Sequence, residues 1–238
     1  METSLEDLLT TFRNKFWWEI PENFVIFDVE TTGLNVKKDR ILEIGAIHVN
    51  KKDFLATGKV DTFECFVKQD SPIPLESQEI HHITDEMVAN GLSEHEALTK
   101  FFRFCDRKWL LSYNSPFDVG FLLNTGKRCN YPAELEDLKS VEDIYKLARK
   151  YINKGLVANK KLHTIAEVIG VKNSNPHRAL GDALTSVYVY IFLKQLEFQD
   201  IHFDFIQTSK RLAAATGQNE SQILDNYISH YYSKINKI

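Results

Sequence analysis

A chain of 238 residues, 43% of them hydrophobic, can bury a substantial core, which excludes a wholly disordered protein and leaves room for one large domain or one with an appendage. Its 29 basic and 33 acidic residues leave a net charge of −4, without the basic footprint of most nucleic-acid binders. Four carboxylates given over to two divalent cations would cancel that charge, so it excludes no partner class. No apolar run nears the roughly 18 residues of a membrane helix. The N-terminal METSLEDLLTTFRNKFWW carries acids where a signal peptide needs a basic start, so a cytoplasmic protein with no membrane partner is expected. Cys65, Cys105 and Cys129, odd in number and far apart, predict reduced thiols.

In chain order, Leu5, Leu8, Leu9, Phe12 and Phe16 predict a helix over residues 4–17, capped by Ser4 and Asp7 and packed on the body. After Pro21 the period changes to two. FVIFDVE (24–30), RILEIGAIHV (40–49) and TFECFVK (62–68) read as strands, and the links TTGLNVKKD and KKDFLATGKVD read as turns, giving an antiparallel meander. Residues 85–106 read as helical. WLLSYN (109–114) reads as a buried strand feeding a helix capped by Ser115, with Pro116 at its first position. A short strand near 138–142, the helix DIYKLARKY, the helix LHTIAEVIGV closed by Gly170, and a long helix from HRALGDALTSVYVYIFLKQL follow. A meander followed by alternating helices and strands predicts an α/β fold, a mixed sheet covered on both faces. Beyond residue 199, Ile223, Leu224, Tyr227, Ile228, Tyr231 and Ile235 form a helical stripe behind a cap at Asn219. The expected organisation is an N-terminal helix (1–21), a main domain (22–198) and a helical C-terminal extension (199–238).

The chemistry is carried by acids in unlikely places. In a strand Asp28 and Glu30 project to one face while Phe27 and Val29 project to the other. Two adjacent carboxylates in an apolar setting repel each other and lose hydration, which calls for a cation unless the strand simply frays there with Glu30 in solvent. Asp118 falls at the third helical position behind Ser115, where a capping box is a complete structural explanation. Asp182 lies five residues after His177 on a face of small residues, Ala179, Ala183 and Ser186, which leaves room beside it. Leu180, Leu184, Val187 and Ile191 form the face expected in the core. Together the four acids, from three separated elements, suit hard divalent cations, with the histidine free to move protons.

In order and spacing, FDVETTG, YNSPFDVGFL and HRALGDA resemble the three motifs of the DEDDh 3′ to 5′ exonucleases, the DnaQ-like group that includes replicative proofreading subunits and ribonuclease T. The resemblance runs from about residue 22 to 196, and RILEIGAIHV, EIHHITDEMV and VEDIYKLARKY are similar to the family's intervening segments. It implies a ribonuclease H-like fold with a mixed five-stranded sheet flanked by helices. It further implies that Asp28, Glu30, Asp118 and Asp182 bind two Mg²⁺ or Mn²⁺ ions, and that His177 is the general base. Thr31, Thr32, Gly33 and His82 would border the terminal nucleotide, and Asn114 would order the site. Tyr113 departs from the histidine that many relatives carry before that Asn, at a position not expected to bind metal.

The implied activity is metal-dependent removal of nucleoside 5′-monophosphates from the 3′ ends of single-stranded or frayed DNA, in proofreading or repair. An exoribonuclease trimming RNA 3′ ends is the alternative within the family. A polymerase-associated module that binds nucleic acid or protein without cleaving is the alternative of another class, and the complete acidic set argues against it. QTSKRL (207–212) begins like a clamp-binding peptide but has Lys210 and Arg211 where apolar residues are wanted, so a polymerase or sliding-clamp partner is expected through the extension.

Overall fold

The first apolar run forms β1 (Asn23–Thr31), which pairs antiparallel with β2 (Ile41–Asn50), itself antiparallel to β3 (Asp61–Phe66). On the other side of β1 lies β4 (Trp109–Ser112), parallel to it, and β5 (Glu142–Asp143) is parallel to β4. The order β3-β2-β1-β4-β5 is therefore a mixed five-stranded sheet, as expected. This computed structural model describes residues 15–106, 108–131, 138–152, 157–173 and 175–216, together with Asn219 and Gln222.

Helices α1 (Lys51–Thr57), α2 (Leu75–His81), α3 (Asp85–Val88), α4 (Glu94–Cys105), α5 (Ser115–Arg128), α6 (Ile144–Tyr151), α7 (Leu162–Val168) and α8 (Ala179–Thr216) complete the described chain. One face of the sheet carries Val25, Phe27 and Val29 into a core with Leu98, Phe101 and Phe102 of α4 and Phe121 and Leu122 of α5. The opposite face presents Phe24, edge-on to Tyr190 of α8 at 5.6 Å. Burying a large side chain of this kind contributes about 1.5–3 kcal/mol.

Four local expectations are corrected. The link after β2 is not a plain turn but α1, capped by the Asn50 side chain accepting from the Asp53 N–H at 3.1 Å and closed by Gly58 at φ 72°. The helix expected over 85–106 is two helices. Leu92 pairs with the end of β3, its N–H donating to Phe66 O at 2.9 Å while its carbonyl accepts from the Lys68 N–H at 2.8 Å, and this long-range pairing interrupts the helix. Ser93 and Glu96 then open α4 with a reciprocal capping box. The strand expected near 138–142 is confined to Glu142–Asp143, behind a 3₁₀ turn at 138–140.

The fourth correction concerns the two faces of α8. Ala179, Ala183 and Ser186 are buried, whereas of the face expected in the core only Val187 is: Leu184 is 37% exposed and Leu180 and Ile191 are only partly covered. Gly45 explains the difference: a Cβ there would lie 2.2 Å from the backbone N of Leu180 and 2.3 Å from Ala179 C. The helix backbone rests on the strand itself, and only small residues allow so close an approach.

The chain divides into two compact units. Pro21–Ile191 holds the sheet and its helices. The other takes in the described residues before Pro21 and from Phe192 onward, including a 3₁₀ turn (Lys15–Glu19), the buried Leu193 and Phe198, and the Lys194–Glu197 ion pair. The helix expected over 4–17 lies outside the described residues except for its last positions, which fall in that turn, and the stripe Ile223–Ile235 lies outside them altogether. Asn219 does accept a hydrogen bond from the Gln222 N–H at 3.3 Å, as its capping role requires. QTSKRL lies within α8. Cys65, Cys105 and Cys129 are joined by no disulfide, as expected. Among the described residues no helix is long and apolar enough to cross a membrane.

Candidate active site

Alternation along β1 does what the sequence pattern requires. Val29 is 4% exposed and joins the core, while Asp28 and Glu30 remain partly open on the opposite face. A register shift between Glu30 and Thr31 ends the regular pairing with β2 just beyond the second acid. Asp182, one turn into α8, meets them: Asp28, Glu30 and Asp182 each offer an oxygen within 4.8 Å of the others. Dehydration is the chief reason these carboxyls resist ionisation, and mutual repulsion adds to it. Asp28 is pushed well above its usual range by burial and then by Asp118, Glu30 and Asp182. Glu30 rises to about 8 through burial and the charges of Asp182, Glu43 and Asp118, with Arg178 opposing. Asp182 is raised by burial, against a lowering hydrogen bond from Asn173.

Asp118 is nearly fully buried, and the capping-box reading of it is overturned. Its Oδ1 accepts from the Val29 N–H at 3.2 Å and its Oδ2 accepts from the Ser112 hydroxyl, tying the first turn of α5 to β1 and β4. Ser115 does not cap either. The residue preceding α5 is Asn114, whose side chain makes no capping bond, and the Ser115 N–H itself points to Asp143 at 3.4 Å. Asp118 does not join the three-carboxylate group, although its charge acts strongly on Asp28. Burial lifts it to about 7, with the Ser112 and Val29 hydrogen bonds working the other way.

His177 is exposed, holds φ 58°, and directs its backbone N–H to the Asp182 carboxylate. A non-glycine residue in the left-handed region is uncommon. Two neighbours were not foreseen. Asn173 donates from Nδ2 to Asp182 Oδ1 at 2.5 Å, and the His163 ring of α7 lies edge-on to that of His177 at 6.4 Å.

The residues expected around a terminal nucleotide are distributed unevenly. Thr31 is buried, with its hydroxyl donating to Gly33 O at 2.6 Å, and Thr32 is locked by reciprocal bonds with Arg40. A Cβ on Gly33 would lie 2.5 Å from Asp39 Oδ2, so a larger residue there would displace that carboxylate from the Asn35 N–H it accepts. His82 is an exposed helix cap at φ 57°, whereas its neighbour His81 is buried and accepts from the Ile83 N–H through Nδ1. Burial lowers the His81 pKa below its ordinary value. Asn114 is exposed. Tyr113 is buried, its hydroxyl donating to Lys160 O at 2.5 Å, so it belongs to the scaffold.

An all-oxygen, crowded and partly dehydrated set of acids is the donor chemistry that Mg²⁺, Mn²⁺ and Ca²⁺ prefer, and the mutual repulsion of Asp28, Glu30 and Asp182 is what such an ion relieves. The residues therefore fit a divalent metal. The exonuclease family model, RNase T, matches residues 25–190, the stretch that contains the whole acidic set. The chain belongs to the RNase T exonuclease family. It is 30% identical to the DNA polymerase III subunit epsilon of Haemophilus influenzae over 181 residues, covering 73% of this chain and 68% of that protein. It is 35% identical over 187 residues to a PolC-type DNA polymerase III of Clostridium perfringens, covering 76% of this chain but spanning only 12% of that protein. In fold the chain is similar to the nuclease domain of 3′hExo, a DEDDh family member solved bound to rAMP. The TM-score is 0.61 at 19% identity, over 74% of this chain and 93% of that one. E. coli Exonuclease I, solved with a dT13 oligonucleotide, gives 0.59 at 21% identity, over 82% and 46%. The ribonuclease H-like fold and the DEDDh resemblance are thus both borne out.

Proposed function

We propose that this exonuclease removes nucleotides from the 3′ end of single-stranded or frayed DNA, releasing nucleoside 5′-monophosphates, in proofreading or repair. The observation that carries the reading is the convergence of Asp28, Glu30 and Asp182 at the end of β1, beside an exposed His177. The polymerase III relatives support DNA as the substrate and polymerase as the setting.

Asp28, Glu30 and Asp182 would hold one Mg²⁺ or Mn²⁺, and Asp118 would complete the set for a second. Bound there, divalent ions stabilise charge developing on the phosphate and acidify water. His177, exposed beside Asp182, accepts the proton of the attacking water. Asn173 Nδ2 and the His177 backbone N–H both donate to the Asp182 carboxylate and so hold its orientation. The Val29 N–H and the Ser112 hydroxyl orient Asp118 in the same way. Thr31, Thr32, Gly33, His82 and Asn114 would border the terminal nucleotide.

The test is turnover of 5′-labelled single-stranded and duplex DNA and RNA with and without Mg²⁺ or Mn²⁺. Stepwise shortening from the 3′ end of DNA, abolished by EDTA, supports the proposal; faster shortening of RNA would move it to an exoribonuclease, a reading for which the fold shared with 3′hExo speaks. Binding without shortening in any metal would leave a non-catalytic module. A polymerase or sliding clamp is the partner proposed for the segment beyond residue 199, and co-migration of the full chain with either tests it.

A further inference from the structure

We propose that Glu43 and Arg178 form a positioning clamp that sets His177 and Asp182 against the carboxylates of β1, a role that rests on the exonuclease reading above. Glu43 is on β2, directly across from Glu30 in the strand register, and is 0% exposed. Its carboxylate meets the Glu64 carboxyl of β3 and is gripped by two successive residues, Arg178 and Ala179. Arg178 Nε lies 3.2 and 3.1 Å from the two oxygens, Nη2 lies 2.5 Å from Oε1, and the Ala179 N–H donates to Oε2 at 2.9 Å. The guanidinium also lies over the Phe66 ring at 5.3 Å and 3.6 Å from Glu64.

Arg178 stands between the two residues that matter. It follows His177, whose backbone is in the left-handed region, and its carbonyl accepts the Asp182 N–H at 2.9 Å. Fixing the fork therefore fixes the direction in which the chain leaves His177 and the phase of the turn that presents Asp182. Gly45, two residues along β2 from Glu43, lets α8 approach until its backbone meets the strand. Contact at Gly45 sets the distance of the helix; the forked ion pair sets its rotation.

A purely stabilising role accounts poorly for this pair. Dehydrating two charges is costly, and well-packed apolar residues in such places are often as stable or more so. Apolar packing, however, would not fix an angle, whereas a planar guanidinium on both oxygens of one carboxylate does.

The test is the double variant Glu43→Gln/Arg178→Met, which removes both charges and so leaves neither buried alone. In the folded variant, Mn²⁺ binding followed by electron paramagnetic resonance should weaken about 10–100-fold, the usual consequence of removing a group that orients metal ligands. The kcat on a labelled oligonucleotide should fall with it, and KM should stay near that of the wild type, because neither residue is placed on substrate. Arg178→Lys, which keeps a cation beside Glu43 but loses the fork, should fold and show the same losses in smaller measure; it carries the comparison if the double variant does not fold. Wild-type Mn²⁺ affinity and kcat in a folded variant, with only the melting temperature changed, would overturn the clamp alone. A wild-type protein that neither binds Mn²⁺ nor hydrolyses DNA or RNA would overturn the exonuclease reading and the clamp with it.

Discussion

Removing divalent ions should make the protein less stable as the pH rises from about 6.5 to 8.5, the reverse of what paired carboxylates produce. Glu30 ordinarily titrates at 4.5 but is held at about 8 in the folded chain, and Asp118 moves from 3.8 to about 7. A carboxyl whose folded pKa is raised keeps a proton that the unfolded chain has released. Its contribution is present in full below the ordinary value and is lost as the pH passes the raised one. Each proton held in excess lowers stability by about 1.4 kcal/mol per pH unit. For Glu30 alone, between pH 6.5 and 8, that is about 2 kcal/mol, with Asp28 adding to it. His81, whose pKa is lowered by burial, acts in the opposite direction only below its ordinary 6.5 and so stays out of this window. Urea unfolding in EDTA at pH 6.5, 7.5 and 8.5 measures the slope. Excess Mg²⁺ should restore stability most at the highest pH, because the ion binds ionised carboxylates. Glu30→Gln should flatten the EDTA slope. An EDTA slope of zero, or one identical in Glu30→Gln, would refute the reasoning.

His177→Ala should lower single-turnover hydrolysis by about 10²–10⁴-fold while fluorescence anisotropy still reports binding of single-stranded DNA; full activity would remove it as the base. Gly45→Ala forces a methyl into the backbone of α8 and should destabilise by about 1–3 kcal/mol, seen as a lower urea midpoint, with activity falling as Asp182 shifts. Ser112→Ala withdraws the hydroxyl from Asp118 Oδ2. It should lose about 1–3 kcal/mol and slow hydrolysis, and unchanged kinetics would show that Asp118 needs no such orientation.

The sheet was legible because strands speak in a period of two, and Asp28 and Glu30 kept that period while placing two acids on one face of an apolar run. Glu43 carries the same signature, an acid within the apolar ILEIGAI, yet strand alternation does not reveal that its partner lies 135 residues away in Arg178. Asp118 was obscured by a sufficient local explanation. Its position fits a helix cap, whereas its hydrogen bond to the Val29 N–H spans 89 residues. Except at Val187, the faces of α8 were misjudged for a related reason: hydrophobicity ranks side chains, but the bare Gly45 makes closeness of approach decide which side is covered. The break between α3 and α4 depends on Leu92 pairing with Phe66, and His163 reaches His177 only through the fold. Only the first leaves a mark in the sequence, the Ser93-x-x-Glu96 capping box that restarts the helix.

The crowding of acids on β1 also bears on how such a chain would decay. Replacing Asp28 or Glu30 by a neutral residue would relieve repulsion and dehydration at once, so the metal-free fold would gain stability in the step that disarms it. Mutations that stabilise are often paid for in function. Drift without selection would therefore erode the acids before the core. A member of this family whose sheet is intact and whose β1 is neutral would be one whose activity is no longer under selection.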